Sequence, residues 1–252
     1  MKKKTRWPIY LIIGLIVTFI AFTVPLPYYI EVPGTSEDIR KVLQVNNQPD
    51  REEGSYQFVT VGVKHARMVD LVYAWLTPFT DIRSAKEMTG GSSDAEFMRI
   101  NQFYMETSQN MAKYQGLKAA GKEIELKYLG VYVLTVTDNS TFKGILNIAD
   151  TVTAVNDKTF ESSKEMVDYV NSQTLGDKVK VTYQEDGKVK TAEGKIITLE
   201  NGKNGIGIGL IDRTEVSSDV PIKFSTAGIG GPSAGMMFSL SIYTQIADPT
   251  LR

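Results

Sequence analysis

Between Pro8 and Pro27 the chain reads PIYLIIGLIVTFIAFTVPLP, with no charged residue. A helix that crosses the hydrocarbon core of a bilayer needs about 20 predominantly apolar residues, and this stretch meets that length. It is preceded by MKKKTR, in which four residues are basic, and basic flanks favour the cytoplasmic side. A cleaved signal peptide is the rival reading. It would have an apolar region of roughly 7–15 residues closed by small residues, whereas this run is longer and exits through TVPLPYYI. The expectation is therefore an uncleaved anchor over residues 8–27 in contact with the lipid bilayer, after a cytoplasmic basic tail over residues 1–7. The bulk of the chain would then lie outside the cell membrane. Trp7, Tyr28 and Tyr29 stand where an aromatic belt would sit.

Composition narrows the chemistry. Of 252 residues, 42% are hydrophobic, and the formal net charge is −1. No general electrostatic pull toward nucleic acid follows from that balance. With no cysteine and one histidine, His65, disulfides, thiolate catalysis and histidine-rich metal sites are excluded. No Gly-Lys-Ser/Thr phosphate loop occurs anywhere, so neither nucleotide, metal nor other cofactor is expected.

Periodicity divides the chain after the apolar run into three regions. Over residues 28–123 a membrane-proximal α/β region is expected. Phe58, Thr60 and Gly62 alternate with Val59, Val61 and Val63 as in a strand, and the pattern turns helical from Met68 to Leu76. Residues 92–120 read as a helix that closes on Gly121, with Phe97, Ile100, Tyr104, Met111 and Leu117 as its apolar stripe. Over residues 124–198 the order is a strand pair, a short strand, a capped helix from Ser162 to Gln173, and a hairpin turning at Asp186-Gly187. Short strands and a last apolar helix make up residues 199–252.

The run LGVYVLTVTDNSTFKGILNIADTVTAVNDKTFESSKEMVDYV resembles a bacterial PDZ domain. The usual Gly-Asp pair is here Ala149-Asp150, and Lys158 stands in place of the usual turn glycine. PDZ domains bind extended peptides by strand addition between a strand and a helix. The resemblance implies that Tyr128, Leu129, Gly130 and Val131 present backbone N–H groups to a peptide. A β-domain serving as a spacer is the alternative.

Near the C-terminus, STAGIGGPSAGMMFSL surrounds Ser233 with glycines and proline and then becomes an apolar helix. A Rossmann fingerprint would need a third glycine where Ser233 stands. GPSAG fits a nucleophile elbow, but no histidine follows it, and His65 beside Lys64 and Arg67 reads as a structural or surface residue. A serine paired with a dehydrated lysine amine remains. There the glycines would let a substrate backbone approach, and the helix N-terminus would offer N–H groups to an oxyanion.

GGPSAGMMFSL resembles the nucleophile segment of Lon-type serine proteases, in which Pro-Ser-Ala-Gly opens a helix and a lysine follows well downstream. Together with the apolar N-terminus and the PDZ-like run, it makes the chain similar to the membrane-bound PDZ-Lon proteases of Gram-positive bacteria. The segment AWLTPFTDIRS…TGGSSDAEFMRINQFYMETSQNMA resembles the streptococcal and enterococcal branch, which processes peptide pheromones outside the cell. The resemblance implies Ser233 as nucleophile, supported by Gly230, Gly231, Pro232, Ala234 and Gly235. No lysine follows Ser233 in this sequence, so the partner is expected beyond Arg252, and these 252 residues alone are expected not to cleave peptides.

The fold expected is α+β: one transmembrane helix, a PDZ-like, partly open β-barrel with a helix, and the first part of a Lon-type proteolytic domain. The function expected is an ATP-independent extracellular endopeptidase with a Ser-Lys dyad. It would act on peptides or proteins, secreted signalling peptides among them. A non-catalytic, membrane-tethered peptide-binding protein is the alternative.

Overall fold

A computed structural model describes residues 7–248. MKKKTR, most of the expected basic tail, and residues 249–252 lie outside the described residues. In chain order the first elements are α1 (Trp7–Thr23), β1 (Pro25–Asp38), a 3-10 turn (Ile39–Lys41), β2 (Leu43–Val45), β3 (Gln57–Arg67), α2 (Met68–Leu76), β4 (Asp81–Ser84), α3 (Ala85–Thr89) and α4 (Asp94–Ala119). There follow β5 (Glu125–Val136), β6 (Thr151–Val155), α5 (Ser163–Asn171), β7 (Lys178–Glu185) and β8 (Lys188–Lys195). The last are β9 (Ile197–Thr198), β10 (Asn204–Gly205), β11 (Ile208–Ser217), β12 (Ile222–Phe224) and α6 (Gly235–Ile246).

The expected anchor is corrected by this architecture. No helix among the described residues is long and apolar enough to cross a membrane. The apolar helix α1 stops at Thr23 after 17 residues, about 25 Å at a rise of ~1.5 Å per residue. A bilayer core is ~30 Å thick. Pro25 and Pro27 cannot continue a helix, and the chain there enters β1. That strand pairs antiparallel with β4 in the register Tyr28↔Ser84 to Glu31↔Asp81. The single-pass placement, with a cytoplasmic N-terminus and an extracellular bulk, falls with the span. Tyr29 is not part of a belt either. It is buried, stacked on His65 at 4.3 Å between ring centroids, and donates its hydroxyl to Asp94.

The chain divides into two compact units, Met1–Glu37 with Val59–Asp94, and Asp38–Phe58 with Ala95–Arg252. The first holds a three-stranded sheet in the order β3-β1-β4. Gly34 is needed where β1 meets β3, since a Cβ there would lie 2.3 Å from the Thr60 carbonyl oxygen. Asp70 begins α2 by accepting the Arg67 N–H at 2.8 Å and the Lys64 ammonium at 2.9 Å. Burial alone would raise its carboxyl, but these donors hold it below the ordinary aspartate range. His65 Nε2 lies 2.6 Å from Asp94 Oδ2, which makes this histidine a structural member of the unit.

The second unit carries an antiparallel sheet in the order β11-β5-β6-β7-β8. Asp186 and Gly187 turn β7 into β8 at φ 48° and 78°, the left-handed pair of a type I′ hairpin. Val131, Val133, Val152, Val181 and Phe142 of the sheet and its loop pack with Met166 and Val170 of α5. The expected strand pair at the start of this region is instead one strand, β5, followed by the irregular segment 137–150.

A second core joins α4, α6, β2 and the 3-10 turn through Leu43, Met105, Leu117, Phe238 and Ile242. Helix α4 ends on Gly121 at φ 68°, and the Lys122 N–H returns to the Leu117 carbonyl, a Schellman closure. Its buried residues are Phe103, Met105, Ala112, Gly116 and Leu117, so of the expected stripe only Leu117 is fully buried. The helix packs on more than one side, and a single-stripe reading misplaces its inner face. Phe103 stacks on Tyr132 of β5 at 3.6 Å, whereas Gly116 admits α6, with Ile242 Cβ only 2.9 Å from where a Cβ would stand.

Candidate functional site

Strand β5 and helix α5 form the walls of a groove, and β11 lies in it. Ten residues of β11 pair antiparallel with β5, from Ile208↔Val136 to Ser217↔Glu125. The other edge of β5 is taken by β6, through Val131↔Val152 and Tyr132↔Thr151. On the helix side, the Ser163 N–H at the start of α5 donates to Asp212 Oδ1 at 2.9 Å. Ser162 caps that helix by accepting the Glu165 N–H at 3.2 Å, as its Ser-start signal predicts. A mostly apolar pocket lies beside them, lined by Met166, Val167 and Val170 of α5 and by Ile206, Ile208 and Leu210.

The four residues singled out for peptide contact stand together in this groove wall. Tyr128 is registered opposite Thr214, Gly130 opposite Arg213 and Val131 opposite Asp212, with the ladder shifting register at Leu129. Gly130 adopts φ 134°, and a Cβ there would lie 2.2 Å from the Val152 carbonyl oxygen, so both conformation and space demand glycine. Val131 turns its side chain into the core, leaving its backbone as the part that can meet a ligand. The Tyr128 hydroxyl is buried without a hydrogen-bond partner. Burial first, then the carboxylates of Asp212 and Glu165, raise its pKa above the usual tyrosine value. Arg213 donates from Nη1 to Thr151 Oγ1 at 2.6 Å, while its Nε is buried and unpaired. Sequence reasoning found a short strand here but missed Asp212, Arg213 and the edge of β5 that the strand joins. GIGIGLI reads as a short β run, and nothing local says which edge it joins.

The serine loop is built on α4. The Gly231 N–H donates to the Asn101 carbonyl at 2.8 Å, and Ser108 Oγ donates to the Pro232 carbonyl at 3.0 Å. Gln109 Nε2 donates to Thr226 Oγ1 at 2.7 Å. Gly230 lies so close to α4 that a Cβ would meet Asn101 Cβ at 2.8 Å. Gly231 needs its φ of 90°, and Gly235 meets Ser108 Oγ at 2.5 Å from a built Cβ. Ala234, fully buried, precedes the helix, which starts at Gly235. Ser233 itself is exposed, and no hydrogen-bond partner for its hydroxyl occurs among the described residues. Among the upstream lysines, Lys223 lies in β12, registered against Gln44. Lys113 of α4 is the lysine whose amine is held below the usual range among the described residues. It lies 5.6 Å from the Phe224 ring centroid, and burial holds its pKa below the usual lysine range against the pull of Glu215 and Glu106. Among the described residues no cluster of ligands could hold a metal ion.

Comparison with known proteins bears on the groove. The PDZ-domain family model matches residues 102–196. This chain is 35% identical to the PDZ domain of the SdrC-like protein from Listeria monocytogenes, over 34% of this chain and 93% of that one, with a TM-score of 0.33. It is 38% identical to the PDZ domain of the SdrC-like protein from Listeria innocua, over 32% of this chain and 92% of that one, with a TM-score of 0.31. No curated protein matches the chain significantly.

Proposed function

We propose, on the premise that this chain carries a PDZ domain over residues 102–196, that it binds an extended segment of a peptide or protein by strand addition to β5 beside α5. The observation that carries this reading is the ladder from Ile208↔Val136 to Ser217↔Glu125: the edge of β5 next to α5 accepts a ten-residue strand.

The finer reading is that Ser233 is the nucleophile of an endopeptidase acting on such segments. In that reaction Ser233 Oγ attacks the carbonyl carbon of a peptide bond while a neutral lysine amine takes the hydroxyl proton. The tetrahedral intermediate collapses, the C–N bond breaks, and the leaving amine receives that proton. Water then hydrolyses the acyl-serine ester. The exposure of Ser233 and the anchoring of its flanking carbonyl and N–H groups on α4 support this role. A purely binding role is the alternative, supported by the groove alone, with Ser233 serving as part of the turn that leads into α6.

The two roles separate in one experiment. The full-length gene product, which on this reading carries the lysine beyond Arg252, and its Ser233→Ala variant are incubated with a peptide mixture, and products are read by mass spectrometry alongside peptide binding. The endopeptidase reading predicts cleavage by wild type only, with binding equal in both. Equal cleavage by both proteins removes Ser233 as nucleophile, and binding without cleavage in either leaves the binding role.

A further inference from the structure

Strand β11 lies outside the residues matched to the PDZ domain, which end at 196, yet it fills the edge at which such a domain adds a peptide. Its contacts are those a ligand would make. Ile208 and Leu210 pack against the core of the domain and border the pocket next to Met166 and Val170. Two residues further along the same strand, Asp212 accepts the Ser163 N–H at 2.9 Å. These are alternate positions, as side chains on one face of a strand must be. Gly209, between them, has no room beside Thr135, whose Oγ1 would lie 2.3 Å from a Cβ. Before the strand, the Gly207 carbonyl is held by the Thr137 N–H at 2.9 Å. Past Asp212 the strand runs on to Ser217. The segment therefore passes through the groove, and a side-chain carboxylate, not a chain end, meets the first turn of α5.

We infer that β11 is a resident ligand of the β5–α5 groove, and that the groove selects internal extended segments of the pattern apolar–glycine–apolar–any–acidic, which enter by displacing β11. The inference rests on the strand-addition reading above and adds the ligand class and the competitor. A segment of this pattern reproduces the packing of Ile208 and Leu210 and the hydrogen bond of Asp212. A segment lacking it faces a groove already filled by a better match. Because β11 is tethered, it competes at a high effective concentration, so a free peptide of the same sequence binds the unaltered protein weakly.

The test uses the full chain and a fluorescent peptide, GIGIGLIDRTEVS, the sequence of residues 205–217. Leu210→Asp puts a charge against the core only when β11 is docked, and Asp212→Ala removes the bond to Ser163. Both are expected to bind the probe at least tenfold more tightly than wild type, and a probe with Leu and Asp exchanged for Ser is expected to bind none of them. A lock covers the case in which loosened variants lose their fold. Glu125 and Ser217 are register partners in a chain without cysteine, so Glu125→Cys with Ser217→Cys gives a reversible cross-strand disulfide. Oxidation is expected to weaken probe binding at least tenfold, and reduction to restore it. Equal affinity in wild type, loosened and locked forms overturns the resident-ligand inference. If the proteins bind members of a random peptide array but not this probe, the inference falls and strand addition stands. If no form binds the probe or any array peptide, strand addition itself falls.

Discussion

Asp150 shows how a single side chain couples the groove wall to pH. It is buried and accepts the Asn147 N–H at Oδ2, 2.8 Å away, while its own carbonyl accepts the Val133 N–H of β5. Burial, aided by the nearby carboxylates of Glu185 and Asp186, raises its pKa above the ordinary aspartate value. The folded state therefore keeps this proton to higher pH than the unfolded chain. Its contribution to stability falls as pH rises from the ordinary value through the raised one. Asp150→Asn keeps an acceptor for Asn147 and removes the titration. In urea unfolding, the stability of this variant relative to wild type should increase as pH rises through that window and then level off. A pH-independent difference would contradict the assignment. Residue 149 was legible in part. The family usually has glycine there, and Ala149 is held at φ 85°, so the missing glycine marks a strained turn. Lys158 departs from the family without such consequence, because Asn156 and Asp157 carry the positive φ values of 50° and 62°. The lowered amine of Lys113 was not legible, since it comes from burial in the folded chain and not from neighbours in sequence.

Among elements, α4 does the most to position both candidate sites. It carries the anchors of the serine loop, and it donates from Asn110 Nδ2 to the Thr214 carbonyl of β11 at 2.9 Å. Its approach to α6 depends on Gly116, where a Cβ would meet the Ser239 carbonyl oxygen at 2.8 Å. Gly116→Val should overpack this contact and lower stability by about 1–3 kcal/mol, measured as a shift in urea midpoint. An unchanged midpoint would mean that the two helices do not pack at this closeness. Elements with local signals were legible: the Ser162 cap, the Asp186-Gly187 hairpin, the Gly121 closure and the change from strand to helix at Met68. Those set by tertiary pairing were not. The length of β11 comes from its ladder with β5. The end of α1 at Thr23 comes from prolines and from β1 pairing with β4, which outweigh an apolar run whose composition alone suggests a bilayer span. The inner face of α4 was misplaced for the same reason, because neighbours on several sides decide it.

At the scale of the whole molecule, the residues matched to the PDZ domain, which include most of α4, are joined by β11, which arrives from beyond residue 196. The chain's function then turns on whether β5 meets its own β11 or a segment from elsewhere. The most direct test is amide NMR of the full chain carrying Leu210→Asp, titrated with the GIGIGLIDRTEVS peptide. The account predicts shift changes concentrated in β5 from Lys127 to Val136 and in the first turn of α5, with β8 at the opposite sheet edge unchanged. Changes confined to β8, or none in β5, would contradict it.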